Sequence, residues 1–223
     1  MQGVEQQRIA VFDLDGTISR RDTYLTFLYH CLVKRPQRCV KLPLLPCYVL
    51  AYKLGFKSNH WLKARFLKAI AGGLSRAELE EFATSFTQIT FDNNIKPEAL
   101  AELQRLRDSG YMLVLATASF DIYVSKLFDA LGMDKLFCTI AEFDADDRLT
   151  GELKTLNCIG EEKARQIKAW LQDTTRAEVD RAYSDSAVDL PLLALAQRAI
   201  VVDPKTATAR VAAKLNYPIV RWK

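Results

Sequence analysis

Histidine is scarce in this chain: 223 residues contain two. The five cysteines, Cys31, Cys39, Cys47, Cys138 and Cys158, form no C-x-x-C pair and have no histidine cluster beside them. That spacing argues against a zinc centre and for reduced thiols, the state expected in a cytosolic compartment. Long apolar runs are missing too. The least polar stretch, residues 42–52, is interrupted by Pro43 and Pro46 and closed by Lys41 and Lys53. A spanning helix needs about 20 apolar residues, so this stretch is not expected to cross a membrane alone. Residues 1–8 are polar and the first apolar run is only a strand long, so no secretory signal is read there and the chain is expected in the cytoplasm.

Acidic residues are absent from most of one region. Between Arg20 and Ile70 eleven Lys or Arg accompany a single acid, Asp22, which puts +10 there and, against +4 for the whole chain, −6 everywhere else. Apolar content of 49% and charged content of 26% are those of an ordinary globular protein, long enough for one domain plus a sizeable insertion.

What is present centres on residues 9–17. Four apolar residues, Ile9, Ala10, Val11 and Phe12, run into Asp13-Leu14-Asp15-Gly16-Thr17. The run reads as a buried strand that the Gly-Thr pair breaks. Residues two apart share a strand face, so Asp13 and Asp15 emerge together at its carboxyl end. Two carboxylates so close call for a cation or a proton between them.

Helical spacing follows over 24–34 with Asp22 as N-cap and Pro36 as stop, then over 61–70 and 78–86 around Gly72-Gly73. These helices make an inserted cap over residues 18–94. Two readings of the 42–52 stretch stay open: a buried helix-turn, or a surface that touches lipid, given the cations Lys34, Arg35, Arg38, Lys41, Lys53 and Lys57 around it. Beyond the cap, helices over 98–109, 120–131, 161–171, 190–196 and 205–215 alternate with strands over 112–116, 137–140, 179–183 and 199–202. A hairpin is expected over 142–153. Alternation of this kind predicts an α/β, Rossmann-like, doubly wound parallel sheet formed by residues 1–17 and 95–223.

Three predicted strands end in polar clusters: Asp13/Asp15, Thr117/Ser119 and Asp185/Asp189. Parallel strands present their carboxyl ends on one edge, so the clusters can converge. Lys163, near the start of a helix, adds a cation, and the inventory suits phosphoryl transfer. Asp185 and Asp189 could equally cap the helix that follows them.

These residues resemble the haloacid dehalogenase superfamily, in the branch with a helical cap after the first strand, to which phosphoserine phosphatases belong. Asp13-Leu14-Asp15-Gly16-Thr17 is similar to its first motif, Thr117 to its second, Lys163 to its third and Asp185-Ser186-Ala187-Val188-Asp189 to its fourth. Within that branch the chain resembles the phosphatidylglycerophosphatase C group in Pro43-Leu44-Leu45-Pro46, Gly160-Glu161-Glu162-Lys163 and Tyr183-Ser184-Asp185-Ser186.

The resemblance implies a Mg2+-dependent phosphatase. Asp13 would be the nucleophile forming an aspartyl phosphate, Asp15 the general acid and base, and Thr117 and Lys163 the groups that hold the phosphoryl oxygens. Mg2+ would sit on Asp13, the backbone carbonyl of Asp15 and Asp185, with Asp189 bonding its water. Thr117, Ala118, Ser119, Lys163, Asp22 and Arg65 are the substrate-binding candidates, the last two in the cap. A lipid phosphate such as phosphatidylglycerophosphate, met at the inner face of the membrane, is the first expectation. A small soluble monoester, phosphoserine-like or histidinol-phosphate-like, and a non-catalytic binding module are the alternatives. No nucleic-acid motif is seen, and the apolar cap could serve a homodimer.

Overall fold

The computed structural model describes residues 7–173 and 177–222. The first six residues of the polar lead lie outside them. Eight strands are formed among the described residues: β1 (Gln7–Phe12), β2 (Met112–Phe120), β3 (Lys135–Thr139), β4 (Ala141–Phe143), β5 (Leu149–Leu153), β6 (Ala177–Ser184), β7 (Arg198–Val202) and β8 (Ile219–Val220). Six of them make one sheet in the order β3-β2-β1-β6-β7-β8, and every neighbouring pair in it is parallel. The other two are an antiparallel hairpin.

β1 is central because its residues are apolar on both faces. Ala10 and Phe12 pack on one side with Leu113, Leu115 and Tyr183. Ile9 and Val11 pack on the other with Val114, Ala116 and Ala182. The two-residue period of a strand produces this split, and helices cover both faces. Helices α1 (Thr23–Lys34), α2 (Leu45–Lys53), α3 (Asn59–Ile70) and α4 (Arg76–Asn94) belong to the segment between β1 and α5 (Pro97–Asp108). α6 (Asp121–Ala130), α7 (Glu161–Asp173), α8 (Leu190–Leu193) and α9 (Thr206–Lys214) follow in the second half.

The local signals act as their chemistry dictates. The Asp22 carboxylate accepts from Leu25 N at 2.7 Å and caps α1. Ser75 and Glu78 form a reciprocal capping box that starts α4. α4 extends well past the expected 78–86, because the buried stripe Leu79, Phe82, Ala83 and Phe86 continues to Thr90 through a polar sequence. The expected helix over 190–196 shortens to α8, and β8 was not anticipated, being only two residues long. β2 runs on through Thr117 and Ser119 to Phe120, where a helix was expected to begin.

Residues 42–52 correct the buried helix-turn. A 3₁₀ helix over Pro36–Leu44, with Pro43 inside it, runs into α2, and neither buries a single residue. Val40, Leu44, Leu50, Leu54 and Phe56 are exposed instead. No helix of the described residues is long and apolar enough to cross a membrane. All five cysteines are free thiols.

The cap is seated on the sheet domain by an aromatic cluster. Phe27 of α1 stacks on Tyr123 of α6 at 4.5 Å and meets Phe86 of α4 edge-on at 5.2 Å. On the opposite side α3 rides on the hairpin so closely that a Cβ at Gly151 would lie 2.4 Å from Lys68 Cα. Truncating the fully buried Phe27 to alanine removes both ring contacts and leaves a cavity. The expected loss is about 3–5 kcal/mol of unfolding free energy in urea titration, and a change below about 1 kcal/mol would show that the cap contributes little to global stability.

Candidate active site

The site assembles at the carboxyl ends of β1, β2 and β6. β1 stops at Phe12 and the Asp13 amide still pairs with the Tyr183 carbonyl at 3.0 Å, so the backbone is fixed up to the first carboxylate. The chain then turns at Gly16, whose φ of +84° suits glycine. A side chain there is also excluded by contact, since a Cβ would sit 2.6 Å from the Asp185 carboxylate. The Thr17 hydroxyl donates to Asp13 Oδ2 at 3.1 Å and accepts from the Asp185 amide at 3.0 Å, tying the ends of β1 and β6 together.

Lys163 lies in the first turn of α7 and is 1% exposed. Its ammonium donates to Asp13 Oδ1 at 2.7 Å and to Asp189 Oδ2 at 2.6 Å. Asp189 also accepts from the Ser184 hydroxyl at 3.0 Å and the Gly160 amide at 3.3 Å. Its Oδ2 thus orients Lys163, while Oδ1 accepts from the Gly160 amide. Burial alone would lower the Lys163 pKa, but the charges of Asp13 and Asp189 more than reverse this and hold the ammonium above the ordinary lysine range. Two carboxylates around one ammonium leave an excess negative charge. Burial, opposed by Lys163 and reinforced by Asp189, raises the Asp13 carboxyl from 3.8 to about 7.

Asp15 is held apart from this group. Its oxygens accept from the Thr23 amide at 2.6 Å and the Ser119 hydroxyl at 2.7 Å. Its carboxylate is thus held between the start of α1 and the end of β2. Thr117 is fully buried and its hydroxyl accepts from the Ser119 amide at 3.1 Å. The Ala118 carbonyl faces the cap and accepts from Lys63 at 2.7 Å.

Of the two cap candidates, Asp22 stays near the site. Its carboxyl is raised by desolvation first and by the charge of Asp15 second. Arg65 does not reach the site; it is ion-paired with Glu152 of β5. The cation that does reach it is Lys63, two residues earlier, which also lies 3.4 Å from the Asn157 side chain. Burial lowers the Lys63 pKa while Asp15 and Asp22 pull it back up. A signal for Lys63 existed in the sequence. It stands on the 63-67-70 stripe of α3, where the spacing of Leu67 and Ile70 calls for an apolar residue.

The site suits a hard cation. The Asp185 carboxylate accepts no side-chain hydrogen bond among the described residues, Asp13 Oδ2 accepts only from Thr17, and burial followed by Asp189 raises the Asp185 carboxyl. No group of three or more His, Cys, Asp or Glu gathers among the described residues. Asp13 and Asp185 would therefore share the ion with backbone and water oxygens, the shell that Mg2+ favours.

Residues 10–194 match the family model of haloacid dehalogenase-like hydrolases. The chain is 29% identical over 188 residues to protein CicA of Caulobacter vibrioides, covering 84% of this chain and 82% of that one. It is 24% identical to a histidinol-phosphatase of Neisseria meningitidis serogroup C, covering 97% of this chain and all of the other. In fold it is similar to a protein of unknown function from Bordetella pertussis Tohama I, with a TM-score of 0.81, 21% identity and 97% and 99% of the two chains covered. It is likewise similar to a phosphoserine phosphatase solved as a phospho-aspartyl intermediate analogue, with a TM-score of 0.64, 16% identity and 96% and 93% covered.

Because the folded Asp13 carboxyl holds its proton up to about pH 7 and the unfolded one only to 3.8, metal-free stability should fall as pH rises between those values. Asp13→Asn removes that dependence. With a chelator present, the variant should gain on the wild type from pH 4 to 7, reaching on the order of 1–3 kcal/mol in urea titration, and the gap should stay level above pH 7. A gap of the opposite sign would mean that Lys163 stabilises an ionised Asp13 outright.

Proposed function

We propose that this chain, which belongs to the haloacid dehalogenase-like hydrolase family, hydrolyses phosphate monoesters with Asp13 as nucleophile. The observation that carries the reading is the buried Lys163 bridging Asp13 and Asp189 at 2.7 and 2.6 Å. Asp13 attacks phosphorus, forming an acyl phosphate as the ester P–O bond breaks. Asp15, held by Ser119 and the Thr23 amide, gives its proton to the departing alkoxide. It then takes a proton from the water that cleaves the acyl phosphate and releases inorganic phosphate. Lys163 and Thr117 neutralise the phosphoryl oxygens as charge shifts onto them. Mg2+ would be held by Asp13 and Asp185 and would supply charge that offsets repulsion between carboxylate and phosphate.

A compact substrate suits the enclosure best. Asp13 is only 7% exposed, and Lys63 and Asp22 stand over the entrance as a cation and an anion that could recognise a small zwitterionic body. Likeness to a histidinol-phosphatase over 97% of the chain supports the same class. A lipid phosphate is the second reading, favoured by one observation. Residues 23–77 contain no acid, and within them Val40, Leu44, Leu50, Leu54 and Phe56 are exposed beside Lys41, Lys53 and Lys57. Each such cation near an anionic bilayer is worth about 1 kcal/mol.

Phosphate release measured with histidinol phosphate, phosphoserine and micellar phosphatidylglycerophosphate at matched concentration separates the two readings. Magnesium-dependent turnover of a soluble ester at the highest kcat/KM is the expected result, and a lipid preference would transfer the assignment to the second reading. Asp13→Asn should lower kcat at least about a thousandfold. Absence of turnover on every ester would remove both.

A further inference from the structure

A second cavity lies on the outer side of the cap, between α1 and α4. It encloses about 730 Å3, and among its lining residues are Arg20, Arg21, Tyr29, His30, Ile89 and Asn93. No acidic residue lines it; Arg21 brings a cation, and the Arg20 guanidinium is engaged with the Ile95 carbonyl at 2.8 Å. His30, lowered by burial and by Lys34, adds no charge near neutrality and hydrogen-bonds Ser85 at 2.9 Å. Tyr29, at 69% exposure, and Ile89, at 51%, leave an aromatic and an aliphatic surface uncovered beside the two guanidiniums. The Arg21 cation and the apolar surface of Tyr29 and Ile89 match an organic anion that carries its charge on an aromatic or short aliphatic body.

The cavity also touches both strands of chain that join cap to core. The Arg20 amide donates to the Asn94 carbonyl at 2.7 Å, the Arg21 amide to Asn94 Oδ1 at 2.9 Å, and Asn94 Nδ2 returns to the Arg21 carbonyl at 3.1 Å. One residue on from this pair of arginines and Asp22 comes Thr23, whose amide holds Asp15. The site itself is shut: Asp13 and Lys163 are buried, while Lys63 on the Ala118 carbonyl and Asn157 on Asn59 at 3.1 Å fasten α3 over it. Admitting a bulky ester would require these linkers to move. A molecule lodged against both of them in the shut arrangement favours that arrangement by its difference in affinity between the two states.

We propose that this cavity is a binding site for an amphipathic organic anion, and that its occupancy holds the cap shut and slows turnover. It is separate from the Asp13 site, and its binding test does not depend on the proposed reaction.

Calorimetry with 1-naphthaleneacetate as the probe tests it. The wild type is expected to bind one equivalent; Arg21→Glu and Tyr29→Ala, both at exposed positions, should each weaken binding at least about tenfold. Leu50→Asp, on the remote exposed face of α2, should leave it unchanged. At saturating p-nitrophenyl phosphate the probe should still depress the rate. Equal binding by wild type and Arg21→Glu, displacement of the probe by inorganic phosphate, or a wild-type dimer that both variants convert to monomer would overturn the site. Site-specific binding with an unaltered rate would overturn the coupling to the cap.

Discussion

Everything at the functional end of this molecule depends on one buried ammonium. Lys163 is placed by the first turn of α7 between carboxylates from two different strand ends, and it is too deeply enclosed to be solvated in any other way. An unpaired charge at that depth would be prohibitive, so the ends of β1 and β6 must stay in register for the fold to tolerate it. Asp189 completes the constraint. By accepting from Lys163, Ser184 and the Gly160 amide, it fixes the direction of the ammonium before any phosphate arrives. Burial raises the Asp13 carboxyl first and the charge of Asp189 adds to it, while Lys163 opposes both.

The division of charge along the chain follows the same logic at larger scale. Acids concentrate in the sheet domain, where a few of them form the site, while residues 23–77 carry none. The 23–77 part of the cap therefore presents positive charge, while α4 carries Glu80, Glu81 and Asp92. Of the cations on α3, Lys63 meets the Ala118 carbonyl beside the site, while others lie on the 3₁₀ and α2 surface, on the hairpin contact and around the α1–α4 cavity.

The sheet was legible because its residues obey a short-range rule. β1 and β2 are runs of apolar residues, and β1, β2 and β6 end in polar clusters, so strand, direction and site edge follow together, as do the convergence of Asp13, Lys163 and Asp189 and the cap on α1. What escaped depends on distance in space. Arg65 was a plausible site residue from its position in the cap, yet Glu152, 87 residues away, claims it. Lys63 looked like one cation among eleven until α3 was laid on the hairpin. The 42–52 stretch is apolar enough for a core, but with Pro43 in a 3₁₀ segment it packs on α3 through only part of its side chains: Leu42 and Leu45 are half-buried while Leu44 and Leu50 stay exposed. β8 forms only because β7 offers an unpaired edge at Val201 and Val202.

The most direct measurement is mass spectrometry of protein quenched in acid during turnover of a soluble phosphate ester. One phosphoryl group on the peptide containing Asp13, absent when substrate is omitted and absent in Asp13→Asn, is the expected result. Steady turnover with no phosphoryl group on the protein, or with the group on a different residue, would contradict the role of Asp13 and with it the reason for burying Lys163 beside it.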